Sequence, residues 1–362
     1  MNIEISKKEN FFSILILILL SLFLSISYSI EQYAIYPALS ISGQITYPED
    51  FNIFFLQSKN SWSFITQFIQ FILKFTTDLK LISIILLFFS SLCYSIGVYF
   101  TIRNIALSNI LALATTFFIM FFRKNFGDID YPTLMFSEHT NGMMSLAIVT
   151  LIFGLIINRN FFFSGFFSIF LICVHVTLGL WINSILVISI LYFFYIKKKN
   201  INYKSIFPGI IFGLIIVLIS FTVYKVNIVE IPFNFNQSTY DNYLNNWDAH
   251  RQSYGQLHLL NIEYIIKSFL LFFLIVISVP LFNYNNNEKY IQVYFTFIFI
   301  SFNIILSFLL YISYKKFPFI YPEMIVRVIP TRFFLTQSVI GYPIIISLIF
   351  LFWYKILGHK KK

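Results

Sequence analysis

The chain has 362 residues, of which 58% are hydrophobic and only 11% are charged. A water-soluble domain carries about 25% charged residues, so this composition excludes an ordinary soluble globular protein and indicates a chain that folds in lipid. The formal net charge of +10 would suit a nucleic-acid-binding protein, but the positions of the basic residues, given below, argue against a nucleic-acid partner.

The hydrophobic runs predict an all-α transmembrane bundle, because a helix needs about 20 apolar residues to cross a bilayer. The first run, Phe11–Ile30, follows Lys7 and Lys8 and lacks an Ala-x-Ala cleavage site, so we predict a retained anchor rather than a cleaved signal. We predict a single transmembrane domain over residues 1–362 with about ten spans. They lie near 11–30, 81–102, 105–122, 142–157, 161–176, 180–196, 206–227, 264–283, 290–314 and 333–354.

Two stretches need separate interpretation. Residues 161–196 form either two short helices broken near Gly179 or one long tilted helix. Residues 62–77 are amphipathic and too polar to span, so they are predicted to form a helix lying in the membrane interface. Its aromatic side chains would face lipid or the bundle, with Gln67, Gln70 and Lys74 toward the headgroups.

The basic residues predict the orientation in the membrane, because cytoplasmic loops are enriched in Lys and Arg. If the N-terminus is cytoplasmic and the spans alternate, the inner segments total 38 residues and hold 13 of the 25 basic residues but only 3 of the 15 acidic ones. This distribution suits contact with anionic lipid rather than nucleic acid. We therefore predict a multi-pass protein of the inner (cytoplasmic) membrane with both termini in the cytoplasm. The inner segments are 1–10, 103–104, 158–160, 197–205, 284–289 and 355–362.

The polar chemistry is predicted to lie on the outer face. The four long loops, 31–80, 123–141, 225–263 and 315–332, all fall there, and loops longer than about 12–15 residues are usually functional. No Asp or Glu falls within a predicted span, which disfavours an ion-coupled carrier. The chain has no zinc-type His/Cys spacing and no glycine-rich phosphate loop, so no metal ligand or nucleotide cofactor is predicted. The outer loops still supply oxygen atoms suited to a divalent cation.

Two acids of the first loop are candidate general bases. Glu31 directly follows the first span, where the lipid boundary would remove part of its water and make the carboxylate a better base. The alternative for Glu31 is a solvated helix end. Asp50, in the segment Tyr47–Phe51, is the second candidate base, and its alternative is a turn acid after Pro48.

Two histidines are candidate substrate ligands. His139 follows Ser137 and Glu138 at the start of a predicted helix; the helix dipole explains an acid at that place, but it does not explain His139. His175 lies in an apolar run at the outer end of its span. An ionisable residue inside a membrane is a functional candidate, and the alternative is a histidine bonded to a helix carbonyl or a lipid phosphate.

The late outer loops supply candidate phosphate ligands. Asp248, His250 and Arg251 form the densest polar cluster of the chain, and the planar guanidinium of arginine matches a phosphate. Asp248 and Arg251 would alternatively pair with each other on one helix face. Arg332 begins the final span, where it is placed either for a lipid-linked phosphate or to extend to the headgroups.

The layout resembles bacterial polytopic glycosyltransferases of the C-type fold, in particular the poorly characterised bacterial branch. The resemblance covers most of the chain as a pattern of short motifs: Glu31, Tyr47–Phe51, Ser137–His139, His175 with Gly179–Trp181, and Pro330–Arg332. It implies a sugar donor carried on a polyprenyl phosphate, catalysis at the outer face and a first-loop carboxylate as base. The chain has Glu31-Gln32 where that family usually has an acidic pair.

The leading hypothesis is therefore a membrane glycosyltransferase that moves a sugar from a polyprenyl-phosphate donor to an acceptor at the extracytoplasmic face. Glu31 or Asp50 would deprotonate the acceptor hydroxyl, and Arg332, His175 and Arg251 would hold the leaving phosphate, whose developing charge must be stabilised. Two alternatives stay open. One is an O-antigen-type polymerase or ligase, and the other is a non-enzymatic flippase or permease.

Overall fold

The computed structural model of the protein describes residues 7–45, 59–106, 108–121, 136, 138, 140–195, 203–228, 262–279, 288–316 and 335–359. All regular structure in these ranges is helical, which confirms the predicted all-α class. The helices are α1 (Lys7–Tyr28), α2 (Ile35–Ile41), α3 (Phe64–Ile72), α4 (Leu79–Ala106), α5 (Asn109–Phe121), α6 (Thr140–Ile157), α7 (Phe161–Val174), α8 (Val176–Tyr195), α9 (Ile206–Asn227), α10 (Ile262–Ser278), α11 (Glu288–Lys316) and α12 (Leu335–His359). A 3₁₀ turn at Tyr203–Ser205 precedes α9.

Six of the described helices are long and apolar enough to cross a membrane: α1, α4, α6, α8, α9 and α11. Four more, α5, α7, α10 and α12, carry shorter apolar stretches of 10–17 residues. Each of the ten predicted spans thus corresponds to an apolar helix, and six of them reach the length of a span. Large apolar side chains are exposed along α1 and α9, and such surfaces suit contact with membrane lipid rather than water.

The centre of the bundle is the pair α4 and α6. Almost the whole of α6 is buried, and Gly97 of α4 meets Gly154 of α6. A Cβ added at Gly97 would collide with the carbonyl oxygen of Thr150, and one at Gly154 would lie 2.6 Å from the carbonyl oxygen of Gly97. Small residues let helices approach closely in lipid, where apolar burial alone gives no driving force for association. These two glycines therefore set the spacing of the core.

α1 packs on α4 through four buried serines. Ser21 Oγ lies 3.2 Å from Ser95 Oγ, and Ser25 Oγ lies 3.3 Å from Ser91 Oγ. Ser25, Ser91 and Ser95 also donate to carbonyls of their own helices, so the contacts between the helices add polar attraction where apolar burial gives none. This contact fixes the direction of α1, and so the position of the residues that follow it.

α7 and α8 form a tight hairpin that turns at one residue. His175 stands between them in an extended conformation, with φ −151° and ψ 94°. A Cβ on Gly179 would lie 2.6 Å from the Cα of Ile172, so this glycine is required by the contact between the two helices. Of the two predicted arrangements the pair of helices is confirmed, but the break near Gly179 is wrong, because the chain turns at His175.

α7 also packs against α9. Gly209 and Gly213 lie one turn apart on α9, and a Cβ at either position would collide with the carbonyl oxygen of a phenylalanine of α7, Phe162 or Phe166. This is the small-xxx-small spacing found at close helix crossings in membranes. α7 is thus held between α8 and α9, and it has only 14 residues, about 21 Å of helix.

α3 packs against α7 of this hairpin and against α9. Its N-cap residue Ser63 accepts a hydrogen bond from the backbone of Thr66, and the ring of Phe64 meets Phe170 of α7 at 5.0 Å. Gln67 exchanges two hydrogen bonds with Ser220 of α9, at 2.8 and 2.7 Å. The predicted helix in 62–77 is confirmed over Phe64–Ile72. The predicted direction of Gln67 toward the headgroups is wrong, because its side chain is hydrogen-bonded to α9 within the bundle.

Candidate functional site

The first two long loops meet at one end of the bundle. The backbone N–H of Tyr33 donates to the carbonyl of Glu138 at 2.9 Å, and that of Ala34 donates to Thr140 Oγ1 at 3.3 Å. The ring of Phe136 packs against Tyr28 at 5.1 Å. The segment that follows α1 is thereby joined to the residues that begin α6.

Phe136 pays a conformational cost for this junction. Its φ is 63°, in the left-handed region that a bulky side chain rarely occupies. The residue is nevertheless buried, so its contact with Tyr28 stabilises a backbone that would otherwise be strained. Strain of this kind is commonly found where a loop must hold a defined shape for function.

Glu31 lies at the surface of this junction, directly after α1. Its side chain is not covered by other parts of the protein, and the predicted loss of water at the lipid boundary stays a prediction. Its partner is Tyr36 at the start of α2. The hydrogen bond to the Glu31 carboxylate, with the negative charge it brings, raises the pKa of the exposed Tyr36 phenol above its usual value. A phenol that keeps its proton remains a donor that orients the carboxylate.

Glu138 makes the same kind of pair from the second loop. The hydrogen bond between its carboxylate and Tyr33 is the main cause of the raised pKa of that tyrosine, followed by a small loss of water. Tyr33 and Tyr36 are both about half exposed, so each presents part of an aromatic face beside a carboxylate. Two acids from separate loops therefore share one end of the bundle, each oriented by a tyrosine.

Gln32 lies between these pairs and faces inward. Its side chain is fully buried, and Nε2 donates to the carbonyl of Ile30 at 3.1 Å. This is the position where the family that the sequence resembles usually has its second acid. In this chain a second carboxylate at this end of the bundle comes from Glu138 in the other loop, and its side chain is half-buried.

His175 caps the helix that follows it. Its Nδ1 lies 3.4 Å from the backbone nitrogen of Leu178, which donates to it, and 3.1 Å from Thr177 Oγ1. Nδ1 thus serves as an acceptor at the start of α8, which holds the imidazole ring at the turn between the two helices.

A polar chain links the hairpin to the last helix. Trp181 Nε1 donates to Asn303 Oδ1 of α11 at 2.7 Å, and Asn303 Nδ2 donates to Thr336 Oγ1 of α12 at 2.7 Å. Asn303 and Thr336 are both buried. The first residues of α8 and of α12 are therefore held in a fixed relation, and in the sequence these helices follow His175 and Arg332.

Six of the predicted site residues lie outside the described residues: Asp50, His139, Asp248, His250, Arg251 and Arg332. Glu31 and His175 are the two that the structure describes. Among the described residues, no group of three or more His, Cys, Asp or Glu side chains is arranged to hold a metal ion. Cys93 and Cys173 are free thiols within helices.

Sequence reasoning did not single out Tyr33 or Tyr36, and it explained Glu138 as a helix-start acid. A weak signal was available, because both tyrosines follow Glu31 within five residues and aromatic residues are frequent at membrane boundaries. The pairing of Tyr33 with Glu138 depends on a contact across about one hundred residues, which no local pattern reveals. Searches against protein-family models, curated proteins and solved structures found no match to this chain.

Proposed function

We propose that this chain is a membrane glycosyltransferase that moves a sugar from a polyprenyl-phosphate donor to an acceptor hydroxyl. The observation that carries the proposal is the pair of tyrosine-oriented carboxylates, Glu31 with Tyr36 and Glu138 with Tyr33, at the junction of two long loops. Carboxylates accept hydrogen bonds from hydroxyl groups, and the half-exposed aromatic faces beside them suit the apolar face of a sugar.

In the proposed reaction Glu31 takes the proton of the acceptor hydroxyl. The acceptor oxygen then attacks the anomeric carbon of the donor, and the bond from that carbon to the phosphate oxygen breaks. The phosphate leaves with the bonding electrons, and its growing charge requires cations. Arg332 and Arg251 are the residues proposed for that role, with Asp50 as the alternative base and His139, Asp248 and His250 near the donor.

Glu138 is proposed to replace the missing second acid. Gln32 is buried and bonded to the main chain, so it does not serve as a catalytic base. A carboxylate supplied by the second loop would hold another hydroxyl of the acceptor, or a divalent cation on the donor phosphate. The donor itself carries the activated sugar, so the proposal needs no organic cofactor.

The proposed topology has ten spans, the six long helices together with α5, α7, α10 and α12. An even number of spans places both termini on one side, and the density of basic residues makes that side the cytoplasm. The reaction would then take place at the extracytoplasmic face of the inner membrane, with residues 1–362 acting as one transmembrane domain and α3 in the interface.

A permease is supported less well. Residues of α6 are buried almost throughout, and this helix packs on α4 at the van der Waals limit. The described part of the bundle thus has a packed centre, whereas a permease would favour a central path between two halves. An O-antigen-type polymerase or ligase uses a similar lipid-linked donor, so the identity of the acceptor distinguishes such an enzyme from the proposed transferase.

The test is donor turnover by the purified full-length protein in lipid nanodiscs. Synthetic polyprenyl-phosphate sugars are supplied with glycan acceptors, and release of polyprenyl phosphate is followed. Glu31→Gln keeps the shape of the side chain and removes the base, so release should fall by about 10²-fold or more. Glu138→Gln should raise the KM for the acceptor by a larger factor than it lowers kcat.

The matched control is Asp78→Asn. Asp78 is an exposed acid that caps α4 by accepting from the backbone of Lys80 and Leu81 at 2.9 and 3.1 Å. Asparagine caps a helix about as well as aspartate, so this variant removes a charge without loss of fold and should turn over at the wild-type rate. Equal rates in Glu31→Gln and Asp78→Asn would disprove the assigned base, and no release from any donor would disprove the transferase.

A further inference from the structure

An apolar groove lies at the other end of the bundle, away from Glu31. It has a volume of about 100 Å³. Ser164, Gly165 and Ser168 of α7 line it together with Asn183 and Val187 of α8 and Ile206 of α9. The three residues of α7 have small side chains, which leaves space beside that helix.

The groove presents hydrocarbon to an occupant. The hydroxyl groups of Ser164 and Ser168 donate to carbonyls of their own helix, Phe161 and Gly165, at 2.9 Å. Asn183 Nδ2 donates to the carbonyls of Ser168 and Gly179 at 2.7 Å. These donors are used within the protein, so they leave an apolar surface of the kind that stays dry and takes an apolar guest. Val187 is 54% exposed, which places the opening on the outside of the bundle.

Two exposed cations stand at the turns that border this groove. Arg159 lies in the turn before Phe161, and Lys204 lies in the 3₁₀ turn before Ile206; Phe161 and Ile206 both line the groove. The turn at Tyr203–Ser205 packs against α7, and α7 begins directly after the Arg159 turn. The cations and the groove therefore occupy the same corner of the bundle.

The turn that carries Arg159 has an unusual residue choice. The backbone nitrogens of Arg159 and Asn160 donate to the carbonyls of Ile156 and Leu155 at 3.1 and 2.8 Å, which is the Schellman ending of a helix. That motif needs one residue in the left-handed conformation, usually glycine and sometimes asparagine. Here Arg159 adopts that conformation, with φ 61°. Asparagines stand on both sides, yet the arginine occupies the strained position.

The same turn is fixed to α4. Asn158 Oδ1 accepts from Arg103 Nη1 and from Asn104 Nδ2, each at 3.3 Å. A helix C-terminus favours any nearby cation, but that attraction does not require the left-handed position. The conformational cost of the left-handed backbone at Arg159 is explained if its guanidinium has to lie at a definite place, beside the first residues of α7 and α9.

We infer that this corner binds one anionic phospholipid, with a short part of one acyl chain in the groove and its phosphate on Arg159 and Lys204. A free anion would make no use of a hydrocarbon groove, and a neutral lipid would make no use of the cations. The polyprenyl-phosphate donor of the proposed function would react at the opposite end, beside Glu31. This lipid site is independent of the proposed transferase activity and stands if that activity is absent.

The experiment measures thermal unfolding of the full-length protein in a neutral detergent with added lipid. A ligand that binds only the folded state raises the melting temperature, and the stabilisation grows with the logarithm of one plus the ratio of ligand concentration to Kd. Phosphatidylglycerol should raise it, whereas phosphatidylcholine with the same acyl chains and sodium phosphate alone should have little effect. An equal shift with phosphatidylcholine, whose phosphate is balanced by a choline cation, would overturn the requirement for an anionic headgroup. An equal shift with sodium phosphate would overturn the role of the groove.

Three variants assign the site. Arg159→Gly suits the left-handed backbone, so the lipid-free variant should melt at the same temperature as wild type or higher, while phosphatidylglycerol affinity falls. Combined with Lys204→Gln, the loss should reach about thirtyfold, or about 1 kcal/mol for each cation. Val187→Trp should close the opening and weaken phosphatidylglycerol without changing any charge.

The control is Lys80→Gln, which removes an exposed cation at the end of the bundle that carries Glu31. It should bind phosphatidylglycerol like wild type. The inference is overturned if Arg159→Gly with Lys204→Gln keeps full lipid stabilisation, if Val187→Trp has no effect, or if Lys80→Gln loses as much affinity as the double variant.

Discussion

Tyrosine hydroxyl groups orient the carboxylates of Glu31 and Glu138 at the candidate site. Tyr36 donates to Glu31, and the pKa of its phenol is raised by that hydrogen bond and by the negative charge of the acid. Because the neutral phenol is favoured in the folded state, the pair contributes stability below pH 10, and the contribution is lost as the pH rises through the raised pKa. At neutral pH the tyrosine remains a donor, so the geometry of Glu31 does not vary there.

At the residue scale, Glu31→Gln should return the pKa of Tyr36 toward its ordinary value of 10.0, because the charged acceptor is gone. Tyr33, which pairs with Glu138, should keep its raised value. NMR of tyrosine labelled at Cζ measures both titrations, and Tyr36→Phe identifies the signal. Glu138→Gln serves as the reciprocal control, since it should lower the pKa of Tyr33 alone. An unchanged Tyr36 titration in Glu31→Gln would show that the pair is not formed.

Helix pairs in this bundle approach at positions without a side chain. At Gly97 an added Cβ would collide with main-chain atoms of Thr150 and Leu151. Main-chain atoms within a helix cannot move aside as a side chain does by changing its rotamer. Gly341 of α12 is different, because its nearest neighbour is the end of a flexible side chain, Leu271 Cδ2, at 3.3 Å. Alanine substitutions at these two positions therefore distinguish the stability lost when two helices are forced apart from the ordinary effect of glycine on helix stability.

At the element scale, Gly97→Ala should destabilise the protein by about 2–3 kcal/mol or more, since it forces α4 away from α6. Gly341→Ala should change stability by less than about 1 kcal/mol, because alanine is the better helix former and Leu271 yields. Unfolding in mixed micelles, followed by tryptophan fluorescence, measures both. If the two variants lose equal stability, the contact of α4 with α6 is not what limits the core.

The whole molecule combines long helices with short ones. α5 has 13 residues, about 20 Å of helix, whereas a bilayer core is about 30 Å thick. The short helices pack against long ones, α5 on α4 and α7 on α9, so their ends need not reach both surfaces for the bundle to hold together. The number of crossings is therefore set by the surroundings of each short helix as well as by its length.

At the scale of the whole molecule, ten spans predict opposite sides for reporter fusions at residues 200 and 240. They predict the same side for fusions at residue 200 and at the C-terminus, because four spans, α9 to α12, lie between them and an even number of crossings returns the chain to the side where it began. Fusions at residues 107 and 130 should fall on opposite sides if the short α5 crosses. The same side for 107 and 130 would mean that α5 is re-entrant, and the same side for 200 and 240 would overturn the orientation.

Local chemistry made much of this architecture predictable. Long apolar runs predict helices because each main-chain polar group must be satisfied within its own segment in lipid, and all ten predicted spans coincide with apolar helices. The helix within 62–77 also follows from its local pattern. Glu31 was accessible to the same reasoning, because an acid directly after a span stands at the membrane boundary whatever the rest of the chain does.

Contacts between distant segments decided the remainder. The turn at His175, the bond of Gln67 to Ser220, and the pairing of Glu138 with Tyr33 join residues whose meeting depends on how helices pack. Hydrophobicity is read along a single segment, but helix association in lipid depends on close packing and shared hydrogen bonds. The sequence by itself thus determined where helices form and which acid follows the first of them, and tertiary packing alone determined where the hairpin turns and which second carboxylate stands beside Glu31.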